Sequence, residues 1–498
     1  MNDHILDLAK GFNGGTQADW QALAEKTLRG ADFTEALVRT SEDGINRGPL
    51  FTYAPKNAAI AKTEAPHLAG RPWHITPVID HPDIAHANKD ILADLAGGAS
   101  AFRLKIDAYG KMGGKIGGKN GIAVQSRSDM QRLLSGVVAH LVPIYLSPAP
   151  GNFEAAALLA GLFKNHADLA NIHLGFGYSL QPDAVDKFIS LAKWVRTNAP
   201  HWKAFTVNAA RPHEAGASTA QELAYMLSAA VANINVLLGD GFEIDEIMPL
   251  MDVHLAAPAD GHWGICKLRA ARMLWAYLSK SYGASDRACT LHATTSRRML
   301  SKLDPWSNML RLGGAAFGAV CGGADTITTL PFTEPLGLAS PFARRIAQNT
   351  QLLLMEESHL GQVNDPASGS YTHETLSEKI AQSAWGLFQE LERRDGWPQA
   401  QDWFAAQIAK TAKHRAERIE DGHIKLVGVN QFTKPDVRAA KVLPYPIIKP
   451  KSGTPIDADD FADAIDQGLA GNILPAQPRS QLFKPVRLSE AFETGGTS

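Results

Sequence analysis

The feature that most constrains this chain is an alternation of short apolar runs with longer helical patterns, which begins near Trp73. Strand-like runs lie at residues 101–106, 142–146, 204–208 and 324–330. Helical patterns follow the last three of them, at residues 153–163, 221–238 and 340–356. Parallel strands need long crossover connections, so repeated strand–helix units predict a parallel sheet covered by helices. The number and length of the units favour an α/β protein with a closed (β/α)8 TIM barrel over an open sheet.

The regions on either side of residues 66–427, the predicted barrel, lack this alternation. Residues 1–65 hold one amphipathic segment, 20–28, and too little apolar sequence for a core of their own, which predicts an arm that contacts the barrel or a partner subunit. Residues 428–498 are rich in proline, which predicts a linker or a tail that follows the surface.

Composition excludes several classes of partner. The formal net charge is −2, so no basic surface for nucleic acid or for an anionic membrane is expected. The three cysteines, Cys266, Cys289 and Cys321, have no CxxC spacing, which is typical of buried thiols in a reducing compartment. No apolar run reaches about 18 residues, and the first residues lack the apolar region of a secretory signal. These features predict a cytoplasmic protein.

Residues 113–120 approach a nucleotide-binding P-loop without completing it. Gly113, Gly118 and Lys119 are in register, but Asn120 stands where the loop needs a hydroxyl for Mg²⁺. The sequence that follows is strand-like, whereas a P-loop leads into a helix. We therefore interpret the segment as a basic hairpin tip.

Two histidine positions lie near the ends of predicted strands, where barrel enzymes carry functional groups. They are His213, which precedes Glu214, and His292. A single histidine at such a position is more often structural than catalytic, so the residues alone indicate a large α/β barrel with one cavity.

Five ordered segments resemble the barrel domain of the adenosylcobalamin-dependent methylmalonyl-CoA mutase family. They are residues 70–75 (GRPWHI), 214–225 (EAGA and ELAY), 267–275 (KLRAARMLW), 345–358 (RIAQNTQ and EES) and 365–371 (DPASGSY). The resemblance implies a (β/α)8 barrel with acyl-CoA along its axis, and a separate domain that presents adenosylcobalamin. The implied reaction interconverts methylmalonyl-CoA and succinyl-CoA by a radical rearrangement, for which the cofactor supplies the radical.

The departures from the family pattern concern the reaction chamber. Ala210 and Arg211 occupy the positions of the family's catalytic Tyr and His, and an arginine, which stays protonated, is a poor proton donor. Leu68 replaces an aromatic residue, Thr294 a glutamine and Leu330 an asparagine. The resemblance therefore implies no catalytic residue on this chain.

Other family positions are retained. His292, Thr295, Ser296 and Glu334 match the family pattern, which implies that they are substrate-binding residues. Asp252-x-His254 matches the start of the family's cobalt-binding motif, Asp-x-His-x-x-Gly, but Ala257 replaces its glycine. We therefore expect no metal, no cobalamin and no cobalamin domain on this chain, and adenosylcobalamin on its partner.

The pattern is most similar to small subunits of heterodimeric mutases, which also carry a segment like residues 487–493 (RLSEAFE). The leading hypothesis is a non-catalytic small subunit paired with a larger catalytic chain. One alternative is an active acyl-CoA mutase barrel that works with a separate cobalamin-binding chain. Another is a stand-alone acyl-CoA binding protein.

Overall fold

The computed structural model describes residues 15–52, 71–107, 121–286, 288–448, 451–475 and 482–494. Eight parallel strands surround a common axis. The first, β1, is split into His74–Ile75 and Val78–Ile79. The others are β2 (Phe102–Leu104), β3 (Ile144–Leu146), β4 (Leu174–Tyr178), β5 (Lys203–Asn208), β6 (Met251–Ala257), β7 (Leu291–Thr295) and β8 (Thr326–Thr328).

The split strand β1 closes the sheet. Its first piece pairs with β8 and its second piece with β2, both in parallel. The backbone continues the two ladders through the break, because Thr76 N donates to the Ile327 carbonyl and Arg103 N to the Pro77 carbonyl, each at 2.9 Å. The predicted (β/α)8 barrel is therefore confirmed.

Each strand is followed by a helix of the outer layer. These are α1 (Ile84–Ala96), α2 (Arg127–Leu133), α3 (Asn152–Phe163), α4 (Val185–Asn198), α5 (Thr219–Gly239), α6 (Gly261–Ser281), α7 (Ser307–Cys321) and α8 (Pro341–Leu352). Side-chain caps fix several of the starts: the Ser218 hydroxyl accepts from Gln221 N at 3.2 Å, and the Asp260 carboxylate from Trp263 N at 3.0 Å. Local sequence thus determines where these helices begin.

Helix α5 is apolar on almost every side. In the described part of the chain it is the one helix long and apolar enough to cross a membrane, yet 72% of its apolar window is buried inside the protein. It packs between the barrel and the outer helix Tyr371–Glu392. It also contacts the helix Gln401–Glu420, because Gln221 Nε2 donates to Thr411 Oγ1 at 3.0 Å. Its composition therefore fits a core helix. Cys266, Cys289 and Cys321 are buried, as predicted.

The N-terminal arm has an anchored part and an exposed part. In the anchored part, the strands Arg39–Thr40 and Asn46–Arg47 form a hairpin, whose Asp43 carboxylate accepts from Ala220 N at 3.1 Å and from the Ser218 hydroxyl. By contrast, the helix Gln17–Thr27 has no buried residue. The short helix Phe33–Leu37 lies between them.

The C-terminal region adds ordered elements to the barrel. Val442–Leu443 pairs with Leu338–Ala339, and the helix Phe461–Leu469 packs against α3, with the Phe461 and Phe153 ring centroids 5.3 Å apart. Residues 482–494, which end in the helix Glu490–Thr494, return to the carboxyl ends of the strands. The domain boundaries at 65 and 427 stay predictions.

Candidate functional site

A cavity of about 590 Å³ opens at the carboxyl ends of the barrel strands. This is the end at which (β/α)8 barrels carry their functional residues. Its polar and charged lining includes Arg103, Lys105, Asp107, Ser147, Asn152, Ser179, Gln181, Asn208, Arg211, Glu214, His254, Thr294, Arg297 and Gln401. We call it the mouth cavity.

Ala210 and Arg211 lie at the mouth cavity, directly after β5. Ala210 presents only a methyl group. Arg211 donates from Nη2 to the Leu482 carbonyl at 2.8 Å, and its guanidinium carbon lies 5.9 Å from the Phe483 ring centroid. Arg211 therefore holds the C-terminal segment against the barrel.

The four retained family residues do not line the mouth cavity. His292 lies inside the barrel, 1% exposed, with Nε2 2.9 Å from Asp252 Oδ2 and Nδ1 against the Thr326 hydroxyl. Burial lowers the pKa of His292. Thr295 Oγ1 accepts from Leu330 N at 2.9 Å, which fixes the end of β8.

Ser296 and Glu334 contact different groups. Ser296 Oγ lies 2.9 Å from His213 Nε2, and Glu334 Oε1 accepts from Arg297 Nε at 2.6 Å. The four retained residues are thus divided among separate protein contacts rather than gathered at one site. Their substrate-binding role stays a prediction.

Ser296 belongs to a buried ionic cluster that we call the α5–α6 cluster: His213, Glu222, Lys267 and Ser296. Glu222 Oε2 lies 2.9 Å from His213 Nδ1 and accepts from Lys267 Nζ at 2.6 Å, while Glu222 Oε1 accepts from Ala256 N at 3.0 Å. The cluster ties α5 and α6 to the loops after β5 and β7. Two of the segments that resemble the family contain Glu222 and Lys267, but no local spacing in the sequence indicates that the four residues meet.

The contacts in the cluster resemble those of a hydrolase triad: the Ser296 hydroxyl contacts the His213 imidazole, which contacts the Glu222 carboxylate. However, Ser296 is 1% exposed and His213 3%, and neither lines the mouth cavity. Burial lowers the pKa of His213 to about 3, and Lys267 and His213 overcome burial to lower the pKa of Glu222 to about 2. The cluster therefore holds a neutral imidazole and a carboxylate in place, with no path to a substrate.

Large polar side chains fill the barrel axis below the mouth cavity. The Arg103 guanidinium carbon lies 5.3 Å from the Tyr145 ring centroid, and the Tyr145 and His292 centroids are 4.8 Å apart. Asp252 completes this layer through its contact with His292, and none of the four residues is more than 8% exposed.

The comparisons with known proteins decide the family. The model of the methylmalonyl-CoA mutase family matches residues 58–449. The chain belongs to this family. It is 34% identical to the methylmalonyl-CoA mutase small subunit of Streptomyces virginiae, over 90% of this chain and 76% of the relative.

Other relatives agree. A probable methylmalonyl-CoA mutase small subunit of Mycobacterium tuberculosis is 37% identical over 70% of this chain and 57% of its own length. The methylmalonyl-CoA mutase of Rhizobium meliloti is 27% identical over 84% of this chain and 64% of its own length. The similarity to small subunits thus extends over most of this mutase-family chain, which spans little more than half of the Mycobacterium relative.

Asp252 and His254, which match the start of the family's cobalt-binding motif, both contact other side chains of this mutase-family chain. His254 lies inside the barrel with Nε2 2.7 Å from Thr294 Oγ1, and Asp252 binds His292. Within the described ranges, no group of three His, Cys, Asp or Glu side chains could hold a metal ion. The P-loop-like segment 113–120 and Leu68 lie outside the described residues.

Proposed function

We propose that this chain is a non-catalytic small subunit of a methylmalonyl-CoA mutase, and that it supports a larger catalytic chain that carries adenosylcobalamin. The observation that carries the proposal is the pair Ala210 and Arg211 at the mouth cavity, in the positions of the family's catalytic Tyr and His. A methyl group transfers no proton, and a guanidinium stays protonated.

The neighbouring histidine does not replace the missing acid. His213 follows Arg211 by two residues, but both of its ring nitrogens are bound inside the α5–α6 cluster. Its depressed pKa keeps the ring neutral near pH 7. The chain therefore offers no histidine at the position where the family reaction needs one.

The filled axis also supports a non-catalytic role. Acyl-CoA would have to pass the layer formed by Arg103, Tyr145, Asp252 and His292, which are packed against one another. Large-scale rearrangement of buried charged groups is costly. We propose that substrate does not pass along this barrel.

The exposed part of the arm supports the proposal of a partner. Trp20 is 36% exposed and Leu23 65% exposed on the helix Gln17–Thr27, while the hairpin that follows is anchored to the barrel. Exposed apolar side chains on an otherwise anchored arm are suited to contact a second subunit. We propose that this helix contacts the catalytic chain, and that the complex is cytoplasmic.

Coexpression with a full-length mutase chain that has a cobalamin domain tests the proposal. We expect a stable complex, cobalamin bound to the larger chain, and turnover of methylmalonyl-CoA that needs the larger chain. Trp20→Glu with Leu23→Glu should weaken association, whereas Leu310→Glu, at a side chain 79% exposed on α7, should not.

Two results would contradict the proposal. Turnover by this chain with only a cobalamin-binding chain added would identify it as an active barrel subunit. Saturable acyl-CoA binding without any association with a mutase chain would identify a stand-alone acyl-CoA binding protein.

A further inference from the structure

We propose that the mouth cavity is a binding site for a small organic oxyanion, a carboxylate or a phosphate ester, held by Arg103 and Lys105. This inference goes beyond the proposed function. It concerns the chain by itself and does not depend on a catalytic partner.

Arg103 is a buried cation whose hydrogen-bonding capacity is largely unused. The residue is 2% exposed and lines the mouth cavity from β2. Its Nη1 donates to the Leu146 carbonyl at 3.4 Å, but Nε and Nη2 have no hydrogen-bond partner. Asp252 attracts the guanidinium electrostatically, and its Oδ2 contacts His292 while its Oδ1 has no hydrogen-bond partner. Arg103 and Asp252 nevertheless form no ion pair, and Arg103 has none with any other described residue.

Lys105 places a second positive charge at the same cavity. It follows Arg103 by two residues, so strand alternation directs both side chains to the inside of the barrel. In the described part of the chain, the Lys105 ammonium group forms no hydrogen bond and no ion pair, although Asp80, Glu334 and Asp107 attract it electrostatically. Two donors of this kind match the oxygens of a carboxylate or phosphate group.

Among the described residues, no carboxylate of the lining forms an ion pair with Arg103 or Lys105, although Asp107 attracts Lys105 electrostatically. The Glu214 carboxylate accepts from the backbone N–H groups of Arg297 and Arg298, at 2.9 and 2.8 Å. Arg297 donates through its side chain to Glu334. Besides Glu214, the lining has one other carboxylate among the described residues, that of Asp107. The sequence segments 108–120 and 476–481 contain no aspartate or glutamate.

Neutral polar atoms indicate that the ligand has more than its charged group. His254 Nδ1 and Asn208 Oδ1 are buried without a hydrogen-bond partner, and both residues line the mouth cavity. Tyr225 and Trp397 add aromatic surface to its wall. A volume of about 590 Å³ lies within the usual range for small-molecule sites, which bind small organic ligands.

The test is calorimetric titration of the purified full chain with malonate and, separately, with inorganic phosphate. Ionic strength is held constant with chloride, so that general screening does not contribute. We expect saturable binding of at least one anion by the wild-type chain, and affinity at least tenfold lower for Arg103→Met and for Lys105→Met. Lys89→Met, at an exposed position on α1, removes the same charge and should leave the affinity unchanged.

Circular dichroism and thermal melting of each variant show whether it is folded. The anion that binds more tightly identifies the ligand as a carboxylate or as a phosphate. Absence of saturable binding to the folded wild-type chain would overturn the inference. So would equal affinity in folded Arg103→Met, or an equal loss in Lys89→Met. None of these results bears on association with a mutase chain, which is measured separately.

Discussion

The α5–α6 cluster and the mouth cavity are two polar regions of one barrel, and they use buried charge in opposite ways. In the cluster, Lys267 and Glu222 are paired at 2.6 Å, and His213 has a partner on each ring nitrogen. At the mouth cavity, two nitrogens of Arg103 have no hydrogen-bond partner. A region in which every charge is paired stabilises the fold, whereas one with unused donors is suited to bind a ligand.

Removal of one charge from the α5–α6 cluster should have the largest effect on the free energy of unfolding. Lys267→Met leaves the Glu222 carboxylate buried without its cation, and such a change costs about 3–5 kcal/mol of unfolding free energy. Equilibrium unfolding in urea measures the loss. Lys267→Met combined with Glu222→Gln should be less destabilised than Lys267→Met alone. A loss below about 1 kcal/mol would show that the cluster does not hold the helices together.

The next effect is a dependence of stability on pH. His213 has its pKa lowered to about 3, against an ordinary value of 6.5. Below pH 6.5 the unfolded chain binds a proton that the native ring does not, so stability falls as pH decreases, by at most about 1.4 kcal/mol per pH unit for this residue.

His213→Gln should make this pH dependence shallower. Burial also lowers the pKa values of His254 and His292, so part of the slope should remain. Urea unfolding of the wild-type chain and of His213→Gln between pH 7 and pH 5 measures the two slopes. This pH range lies above the one in which Glu222 titrates. Identical slopes would show that His213 is not protected from protonation.

A smaller effect is expected where the C-terminal segment meets the mouth cavity. Arg211→Ala removes the hydrogen bond to the Leu482 carbonyl, and a hydrogen bond from a charged donor contributes about 1.5–3 kcal/mol. We expect a loss at the low end of this range, because the guanidinium is only partly buried. Arg211→Lys serves as the control that keeps the charge, and both variants are measured by thermal unfolding.

The smallest effect on stability is expected for Arg103→Met. Two effects of this change oppose one another. Removal of a buried guanidinium whose Nε and Nη2 lack partners stabilises the fold, whereas the buried Asp252 carboxylate loses the attraction of that charge, so we expect a net change within about 1 kcal/mol. A loss as large as that of Lys267→Met would remove the contrast between the two regions. Urea unfolding without added anion makes the measurement.

The sequence predicted the elements of the barrel better than their boundaries. The predicted helix 221–238 is Thr219–Gly239, and the predicted helix 153–163 is Asn152–Phe163, because caps and long apolar patterns are local signals. The predicted strand 324–330 is reduced to Thr326–Thr328, because the hydrogen bonds of a strand depend on its neighbours. The apolar segment 121–124, which the sequence predicts as strand-like, forms one isolated bridge within the described ranges, between Ile106 and Ile122.

The candidate site was predicted only in part. The departures at Ala210 and Arg211 were visible in the sequence, and the structure places both residues at the mouth cavity. The contact of Arg211 with Leu482 joins residues 271 positions apart, and no pattern of spacing predicts such a pair. The same holds for Glu222 and Lys267, which lie in separate motifs and meet only through the packing of α5 on α6.

The sequence by itself determined the family and the alternation that makes a barrel, and it predicted the loss of the family's proton donor. These depend on residue identity and on local periodicity, both of which are properties of the linear sequence. Only the tertiary structure decided which charges are paired. Whether Arg103, Lys267 or His213 has a partner depends on side chains that converge from distant strands and helices, and the barrel's closure brings them together.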